Sequence, residues 1–166
     1  MLTVSLLVCA MMALARVNGD EDTAINATAI PEVRVKFFAH TTCPSGWTLY
    51  SQRCFQFVPL QQTWADAQKH CLTIKGSLAS IHNQEEYQFV QGLTTSLLPT
   101  WIGGSDCQQE SAWFWIGGPK MEFVGWCSGQ PDNTKDQCCL QINTGGAKCW
   151  DDQPCNTPLP SVCVLT

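Results

Sequence analysis

The chain has 166 residues, with nine Lys and Arg residues against 14 Asp and Glu and a formal net charge of −5. An acidic chain whose basic residues are scattered lacks the positive stripe needed to bind nucleic acid or an anionic membrane. Composition and charge therefore exclude both as expected partners.

The chain opens on an apolar run that ends at Arg16 and is followed by small residues up to Gly19. The run is shorter than the ~20 apolar residues of a membrane span. It predicts a signal peptide over residues 1–19 and a secreted, extracellular protein; the alternative interpretation is a membrane anchor. Residues 20–42 contain no cysteine and predict a propeptide or flexible arm. Asn26 begins a glycosylation triplet there, whose use the sequence leaves open.

Cysteine content agrees with secretion. Ten of the eleven cysteines remain once Cys9 leaves with the signal, and their spacing lacks the paired close cysteines of a zinc site. An even number predicts five disulfides, each stabilising the fold by ~2–4 kcal/mol, whereas a reactive thiol would require an odd number. Spacing alone does not select among the possible pairings.

Residues 43–166 contain no linker-like segment and are expected to form one domain. Short strands are predicted over residues 47–50 and 53–58, on either side of a turn at Ser51-Gln52. Thr63 and Asn83 are helix caps, because each is followed three residues later by an acid, Asp66 or Glu86.

The first of these helices stops before Gly76, and the second is expected over residues 84–92. The apolar stripe of Trp64, Ala67 and Cys71 on the first helix indicates a core contact; the alternative, a binding face, is much less common.

After Pro99 the pattern changes to short apolar segments typical of strands, over residues 100–104, 112–116, 140–142, 147–150 and 161–165. Helices followed by a run of strands predict the α+β class. The segment 117–137 is rich in Gly and Pro, and a loop of this length is usually functional or disordered. Trp126 and Cys127 favour an ordered loop.

Oxygen-bearing side chains are concentrated in this loop and the strand after it. They are Gln130, Asp132, Asp136, Gln137, Asp151 and Asp152. Such ligands suit calcium, which takes ~6–8 oxygen atoms, and the three histidines lie outside the window. The alternative is that these acids are solvated loop residues.

Catalysis is not expected, because the sequence contains neither a nucleophile motif nor a nucleotide-binding loop. Asp151 and Asp152 are adjacent, and neighbouring residues on a strand point to opposite faces. That geometry is poor for two acids that must flank a scissile glycosidic bond.

The residues named so far, with their order, resemble the C-type lectin fold. The resemblance covers residues 43–166 and is carried by Trp101-Ile102-Gly103-Gly104, Phe123, Trp126, Gln130-Pro131-Asp132, Trp150-Asp151-Asp152, Cys71, Cys139, Cys155 and Cys163. The additional cysteines, including the Cys138-Cys139 doublet, resemble the ten-cysteine branch that contains the type II fish antifreeze proteins.

The resemblance implies a disulfide pairing and a backbone feature. The implied pairs are Cys43 with Cys54, Cys71 with Cys163, Cys107 with Cys138, Cys127 with Cys149 and Cys139 with Cys155. Pro131 is implied to be cis, which would turn the oxygens of Gln130 and Asp132 toward one ion.

The resemblance also implies a calcium site. Its ligands would be Gln130, Asp132, Gln137 or the neighbouring Asp136, Asp151 and Asp152. Two positions depart from the family pattern, since Gln137 replaces a Glu and Asp151 replaces an Asn. Three carboxylates are retained if the two positions have exchanged roles, and ligand charge sets calcium affinity. Some antifreeze relatives act without calcium, so the resemblance leaves the cofactor open.

Two ligands are consistent with this resemblance. One is an ice surface, bound by a rigid patch that includes Gln130, Asp132, Asn133 and Thr134, with Thr144 a weaker candidate. The charges of Lys135 and Asp136 in that patch count against tight ice contact. The other is a galactose-type glycan bound through calcium, because the Gln-Pro-Asp triplet is similar to that of galactose-preferring lectins.

Overall fold

The computed structural model describes residues 42–94, 97–118 and 120–165, without the side chain of Lys135. The predicted signal peptide and nearly all of the predicted propeptide lie outside the described residues, so their boundaries stay predictions. The predicted domain begins at Cys43, one residue after the described part begins.

Within these ranges the chain forms two α-helices, eight strands and one short 3-10 helix. In chain order they are β1 (Thr48–Tyr50), β2 (Arg53–Gln62), α1 (Trp64–Thr73), β3 (Ser77–Leu78), α2 (Gln84–Leu93), β4 (Thr100–Ser105), β5 (Phe114–Trp115), the 3-10 helix (Thr134–Asp136), β6 (Gln137–Thr144), β7 (Cys149–Pro154) and β8 (Leu159–Leu165). The predicted α+β class is confirmed.

Both helices begin at the predicted caps. The Thr63 hydroxyl accepts a hydrogen bond from the Asp66 backbone N–H at 3.2 Å, and the Asn83 carboxamide accepts one from the Glu86 N–H at 2.8 Å. Each cap satisfies a donor that the first helical turn leaves without a backbone partner. The local sequence therefore determines where α1 and α2 start.

The strands form one sheet in the order β1-β2-β8-β4-β6-β7, with β3 paired to β8 and β5 to β4. The C-terminal strand β8 lies inside the sheet, antiparallel to β2 and parallel to β4 at Trp101 and Ser161. Strands β6 and β7 form an antiparallel hairpin at the edge, in which Leu140 faces Asp152 and Gln141 faces Asp151. This edge hairpin carries Gln137, Asp151 and Asp152 of the predicted ligand residues, whereas Gln130, Asp132 and Asp136 precede β6.

The strand predictions differ from the structure in several places. Strand β2 continues to Gln62, beyond the predicted end at residue 58, and β6 spans Gln137–Thr144 where only residues 140–142 were predicted. The segment 112–116 contributes only the two-residue β5, and the Trp113 ring just before it packs on Trp126 with the ring centroids 4.7 Å apart. Strand β7 begins at Cys149 and continues to Pro154, since the segment before it turns at Gly145 and Lys148, both with positive φ. Strand β3 was not predicted, because two residues are too short for a periodic signal.

The described core forms two clusters of buried side chains. One contains Phe55, Ile102 and Trp150, and the other contains Trp101 and Cys71. Ala67 and Cys71 are fully buried and Trp64 packs against the second cluster, so the core interpretation of the α1 stripe is confirmed.

Trp150 joins the core to the long loop. Its ring makes edge contacts with four aromatic rings at centroid distances of 5.6–5.9 Å, those of Tyr87, Trp115, Phe123 and Trp126. Gly125 lies against the Trp150 indole, where a Cβ atom would be 3.1 Å from Nε1. The loop before Cys127 is thus packed on the core, and a side chain at Gly125 would crowd this contact.

Five disulfides join the described cysteines. They are Cys43–Cys54, Cys71–Cys163, Cys107–Cys138, Cys127–Cys149 and Cys139–Cys155. These are the pairs that the resemblance implies. The first two tie β2 and α1 to their surroundings. Cys127–Cys149 ties the long loop to the start of β7, Cys107–Cys138 ties the segment after β4 to β6, and Cys139–Cys155 joins β6 to the residue after β7.

No helix in the described part of the chain is long and apolar enough to cross a membrane.

Candidate functional site

The candidate site is built on the loop of residues 127–137 and on strand β7 beneath it. The start of this loop is held where the Cys127 N–H donates to the Trp150 carbonyl at 2.9 Å and where Cys127 is disulfide-bonded to Cys149. The end of the loop runs into β6, where Cys138 and Cys139 form disulfides with Cys107 and Cys155. Both ends of the loop are therefore covalently fixed.

Asp152 holds the tip of the loop from below. Its side chain is fully buried, and its two carboxylate oxygens accept hydrogen bonds from the backbone N–H groups of Asp132 at 3.1 Å and Asn133 at 2.8 Å. A buried carboxylate is stabilised by such donors, and the donors in turn fix the backbone that they belong to. The Gln130–Pro131 peptide bond just before this tip is cis, as the resemblance implies.

Thr134 links Asp132 to Gln137. The Thr134 N–H donates to Asp132 Oδ1 at 3.1 Å, and its hydroxyl lies 2.9 Å from the same oxygen and 2.7 Å from Gln137 Oε1. The Gln137 amide donates from Nε2 to the Asp152 carbonyl at 2.8 Å. Asp132, Thr134, Gln137 and Asp152 thus form one connected hydrogen-bond network.

Asp151 lies on the other face of β7 and makes different contacts. Its Oδ2 accepts hydrogen bonds from the side-chain amides of Gln141 at 3.0 Å and Gln153 at 3.2 Å. Thr144, the weaker predicted ice-contact residue, also joins this cluster, because its hydroxyl accepts from Gln141 at 3.0 Å. Asp151 is separated from the Asp152 network because successive side chains along a strand point to opposite faces.

Three acceptor oxygens of the site have no hydrogen-bond partner among the described residues. They are Gln130 Oε1, Asn133 Oδ1 and Asp151 Oδ1, and all three atoms are buried. Buried acceptors without partners are uncommon in folded proteins. They are the observation in this structure that favours a bound cation.

A second loop forms the wall beside the site, and the sequence did not predict it. The Asn133 side chain donates to the Ser111 hydroxyl at 3.5 Å, and the Ser111 N–H donates to Asp106 Oδ2 at 2.8 Å. Residues 107–111 are exposed. The signal in the sequence that could have predicted this wall is Asp106, an acid placed between a buried strand and a half-cystine.

Between the two loops lies a cavity of about 250 Å³, lined by Asp106, Cys107, Glu110, Asn133, Asp136, Gln137 and Cys138. Burial raises the pKa of Asp106, the negative charges of Asp152 and Glu110 raise it further, and the hydrogen bond from the Ser111 N–H lowers it. Asp136 is exposed at the cavity edge. The wall is therefore acidic and close to the Asp152 network.

The side chains present do not assemble the three-carboxylate calcium site considered from the sequence. In the described residues, no group of three acid side chains has its oxygen atoms within 4.8 Å of one another. Asp151 is bound by Gln141 and Gln153, and Gln137 contributes an amide donor to the Asp152 carbonyl. Calcium takes ~6–8 oxygen ligands, and most side-chain oxygens of Asp132, Gln137 and Asp152 already have hydrogen-bond donors.

Comparison with known proteins places the chain in a family. The model of the C-type lectin domain matches residues 60–165. A type-2 ice-structuring protein from Osmerus mordax is 48% identical over 161 residues, which cover 96% of this chain and 89% of that protein.

Two solved structures show the same fold. The structure of a Ca²⁺-dependent type II antifreeze protein, in its Ca²⁺-free form, is 49% identical with a TM-score of 0.72, and covers 75% of this chain and 100% of that one. The structure of a calcium-independent type II antifreeze protein is 38% identical with a TM-score of 0.71, and covers 75% and 95%. Similar antifreeze proteins thus include both calcium-dependent and calcium-independent forms.

These matches are to binding proteins and not to enzymes. The chain belongs to the C-type lectin domain family, in the branch that contains the type II ice-structuring proteins.

Proposed function

We propose that this protein is secreted, binds ice through the surface of the 127–137 loop, and limits crystal growth. The observation that carries the proposal is the similarity to a type-2 ice-structuring protein along 96% of the chain. The ligand set predicted from the sequence, Gln130, Asp132, Asn133 and Thr134, is part of this proposed surface.

The rigidity of the loop supports this function. Three disulfides and the hydrogen bonds to Asp152 hold the loop backbone before any ligand is present. A surface that is already ordered loses little conformational entropy when it binds. This matters for ice, since many weak contacts must form at once with fixed water positions.

The exposed residues define the contact surface. Asp132 and Thr134 are exposed at the tip of the loop, while Asn133 and Gln130 are half-buried. Gln108 and Ser111 are exposed on the neighbouring wall, which the Cys107–Cys138 disulfide joins to the loop. We place the ice-contacting face across both loops, with the Thr134 methyl group near its centre.

Thermal hysteresis and ice-crystal shaping of the purified mature protein test the proposal. Thr134→Arg adds a large charged side chain to the face and is expected to remove most of the hysteresis. Leu72→Arg is the matched control, because Leu72 is 59% exposed on α1 and lies outside the face. Absence of hysteresis and of crystal shaping in the parent protein, with and without calcium, would contradict the proposal.

A galactose-type glycan is the second candidate ligand, supported by the Gln130-Pro131-Asp132 triplet. Sugar binding of this kind would require a calcium ion that coordinates the sugar hydroxyls. Retention on a galactose column in millimolar calcium, lost in Asp132→Ala, would favour this alternative. Flow-through of the parent protein would exclude it.

A further inference from the structure

We infer that the loop keeps its shape without a bound cation, because Thr134 and Gln137 crosslink it by hydrogen bonds, and that the protein therefore acts independently of calcium. As far as it concerns activity, the inference rests on the proposed ice-binding function. The claim about the loop itself rests on the contacts of four side chains, those of Asp132, Thr134, Gln137 and Asp152, and can be tested separately.

The Thr134 hydroxyl links Asp132 to Gln137. Its hydroxyl proton is donated to one acceptor at a time, either Asp132 Oδ1 at 2.9 Å or Gln137 Oε1 at 2.7 Å. Its backbone N–H also donates to Asp132 Oδ1, so this carboxylate oxygen has two donors nearby. Donors of this kind stabilise a carboxylate in the way that a cation otherwise would.

The side-chain amide of Gln137 links Thr134 to strand β7. Its Nε2 donates to the Asp152 carbonyl at 2.8 Å while its Oε1 faces Thr134. A glutamate at this position could accept from Thr134 but could not donate to the carbonyl. The amide therefore closes the network between the loop and β7, and it directs a nitrogen, which does not ligate calcium, toward Asp152.

The carboxylates of Asp151 and Asp152 lie on opposite faces of β7 and make separate contacts. Asp152 is the buried acid beneath the loop, and both of its oxygens accept backbone N–H groups. Asp151 is held on the opposite face by Gln141 and Gln153. Only Asp132 and Asp152 remain as acids of this network, and each already has its own donors.

Melting curves in excess calcium and in excess chelator test the claim about the cation. We expect the two curves of the parent protein to coincide, and isothermal titration with calcium to give no binding heat. A domain that binds calcium, measured at a hundredfold excess over Kd, would melt roughly 10 °C higher. A shift of that size, abolished in Gln130→Ala, would overturn the inference and would assign the unpartnered Gln130 oxygen to a metal site.

Hydrogen exchange in chelator tests the role of Thr134 as a positioning residue. Thr134→Val keeps the side-chain shape but lacks the hydroxyl, and we expect it to speed exchange at the Asp132 and Asn133 amides several-fold. Thr134→Ser keeps the hydroxyl and should restore parental exchange, which a purely steric role of Thr134 would not produce. Parental exchange in Thr134→Val would overturn the inference.

Thermal hysteresis measured on the same preparations separates the two proposals. We expect the parent protein to show equal hysteresis in calcium and in chelator. Hysteresis that depends on calcium would overturn the inference. A parent protein with no hysteresis under either condition would contradict ice binding, while the melting and exchange results would still decide how the loop is held.

Discussion

The frame and the loop region of this domain are stabilised by different interactions. The frame, made of α1, α2, β1, β2, β3 and β8, is held mainly by buried apolar side chains such as Phe55, Val90 and Val162. The loop region, residues 106–155, contains three of the five disulfides in the described chain and the hydrogen bonds of Asp152. Stability and site geometry therefore depend on different residues, and substitutions should separate them.

The two regions also differ in the partners of their buried carboxylates. In the frame, the buried Glu86 accepts hydrogen bonds from Arg53 at 2.5 Å and from the His82 backbone N–H at 2.7 Å. In the loop region, Asp152 accepts only backbone N–H groups at its carboxylate. The frame cluster thus pairs opposite charges between elements, whereas the loop cluster fixes the course of the backbone.

The largest expected effect on stability belongs to the frame. Phe55→Ala removes a fully buried ring and is expected to lower the free energy of unfolding by about 3–5 kcal/mol, because a cavity remains in the core. Hysteresis per folded molecule should be unchanged. Denaturant unfolding measures the first quantity, with Leu72→Ala as an exposed control expected to change it by less than ~0.5 kcal/mol. Lost activity in folded Phe55→Ala would break the proposed separation.

A smaller effect on stability, with a larger effect on activity, is expected for the loop. Asp152→Ala leaves the Asp132 and Asn133 N–H groups without acceptors, which should cost about 1–3 kcal/mol. Hysteresis should fall strongly because the loop tip loses its support. Glu122→Ala, at an exposed acid outside the 127–137 loop, is the control. Equal hysteresis in the two variants would show that Asp152 does not position the surface.

The two regions should respond to acid with opposite signs. Burial lowers the pKa of His82, as does the charge of Arg53, against the opposing effect of Glu86. The folded state therefore disfavours the protonated ring, and stability is lost as the pH falls through the unfolded value of ~6.5. The pKa of Asp106 is raised, so its ionised form disfavours folding, and stability is gained as the pH falls through the folded pKa to the unfolded value.

Stability curves between neutral and mildly acidic pH measure this difference. His82→Asn should reduce the loss of stability on acidification. Asp106→Asn should be more stable than the parent protein at neutral pH, and this advantage should shrink as the pH falls. An acid response of the same sign from both residues would contradict the assignment.

The smallest expected effect sharpens the comparison at a single side chain. Gln137→Glu replaces the amide that closes the network with a third carboxylate near Asp132 and Asp152. We expect it to give a calcium-dependent rise of a few degrees in the melting temperature, from the added ligand charge. Gln108→Glu, on the exposed wall, should show no such response. An identical response in both variants would argue against a role for position 137.

Local signals in the sequence were sufficient for much of the frame. The caps at Thr63 and Asn83 predicted where both helices begin, because a cap acts within three residues of chain. The apolar stripe of α1 predicted a core contact, because helical spacing places Trp64, Ala67 and Cys71 on one face of the helix. Strands β3 and β5 could not be placed correctly, since each has two residues and depends on a partner strand distant in sequence.

The sequence by itself determined the class of the fold, the ten cysteines of residues 43–166 and the loop in which oxygen-bearing side chains collect. Only the tertiary structure decided what those oxygens contact. The pairing of β6 with β7 directs Asp152 toward the loop tip and Asp151 toward Gln141. Which face of a strand is covered, and by which loop, depends on the register of distant segments, and no local pattern encodes it.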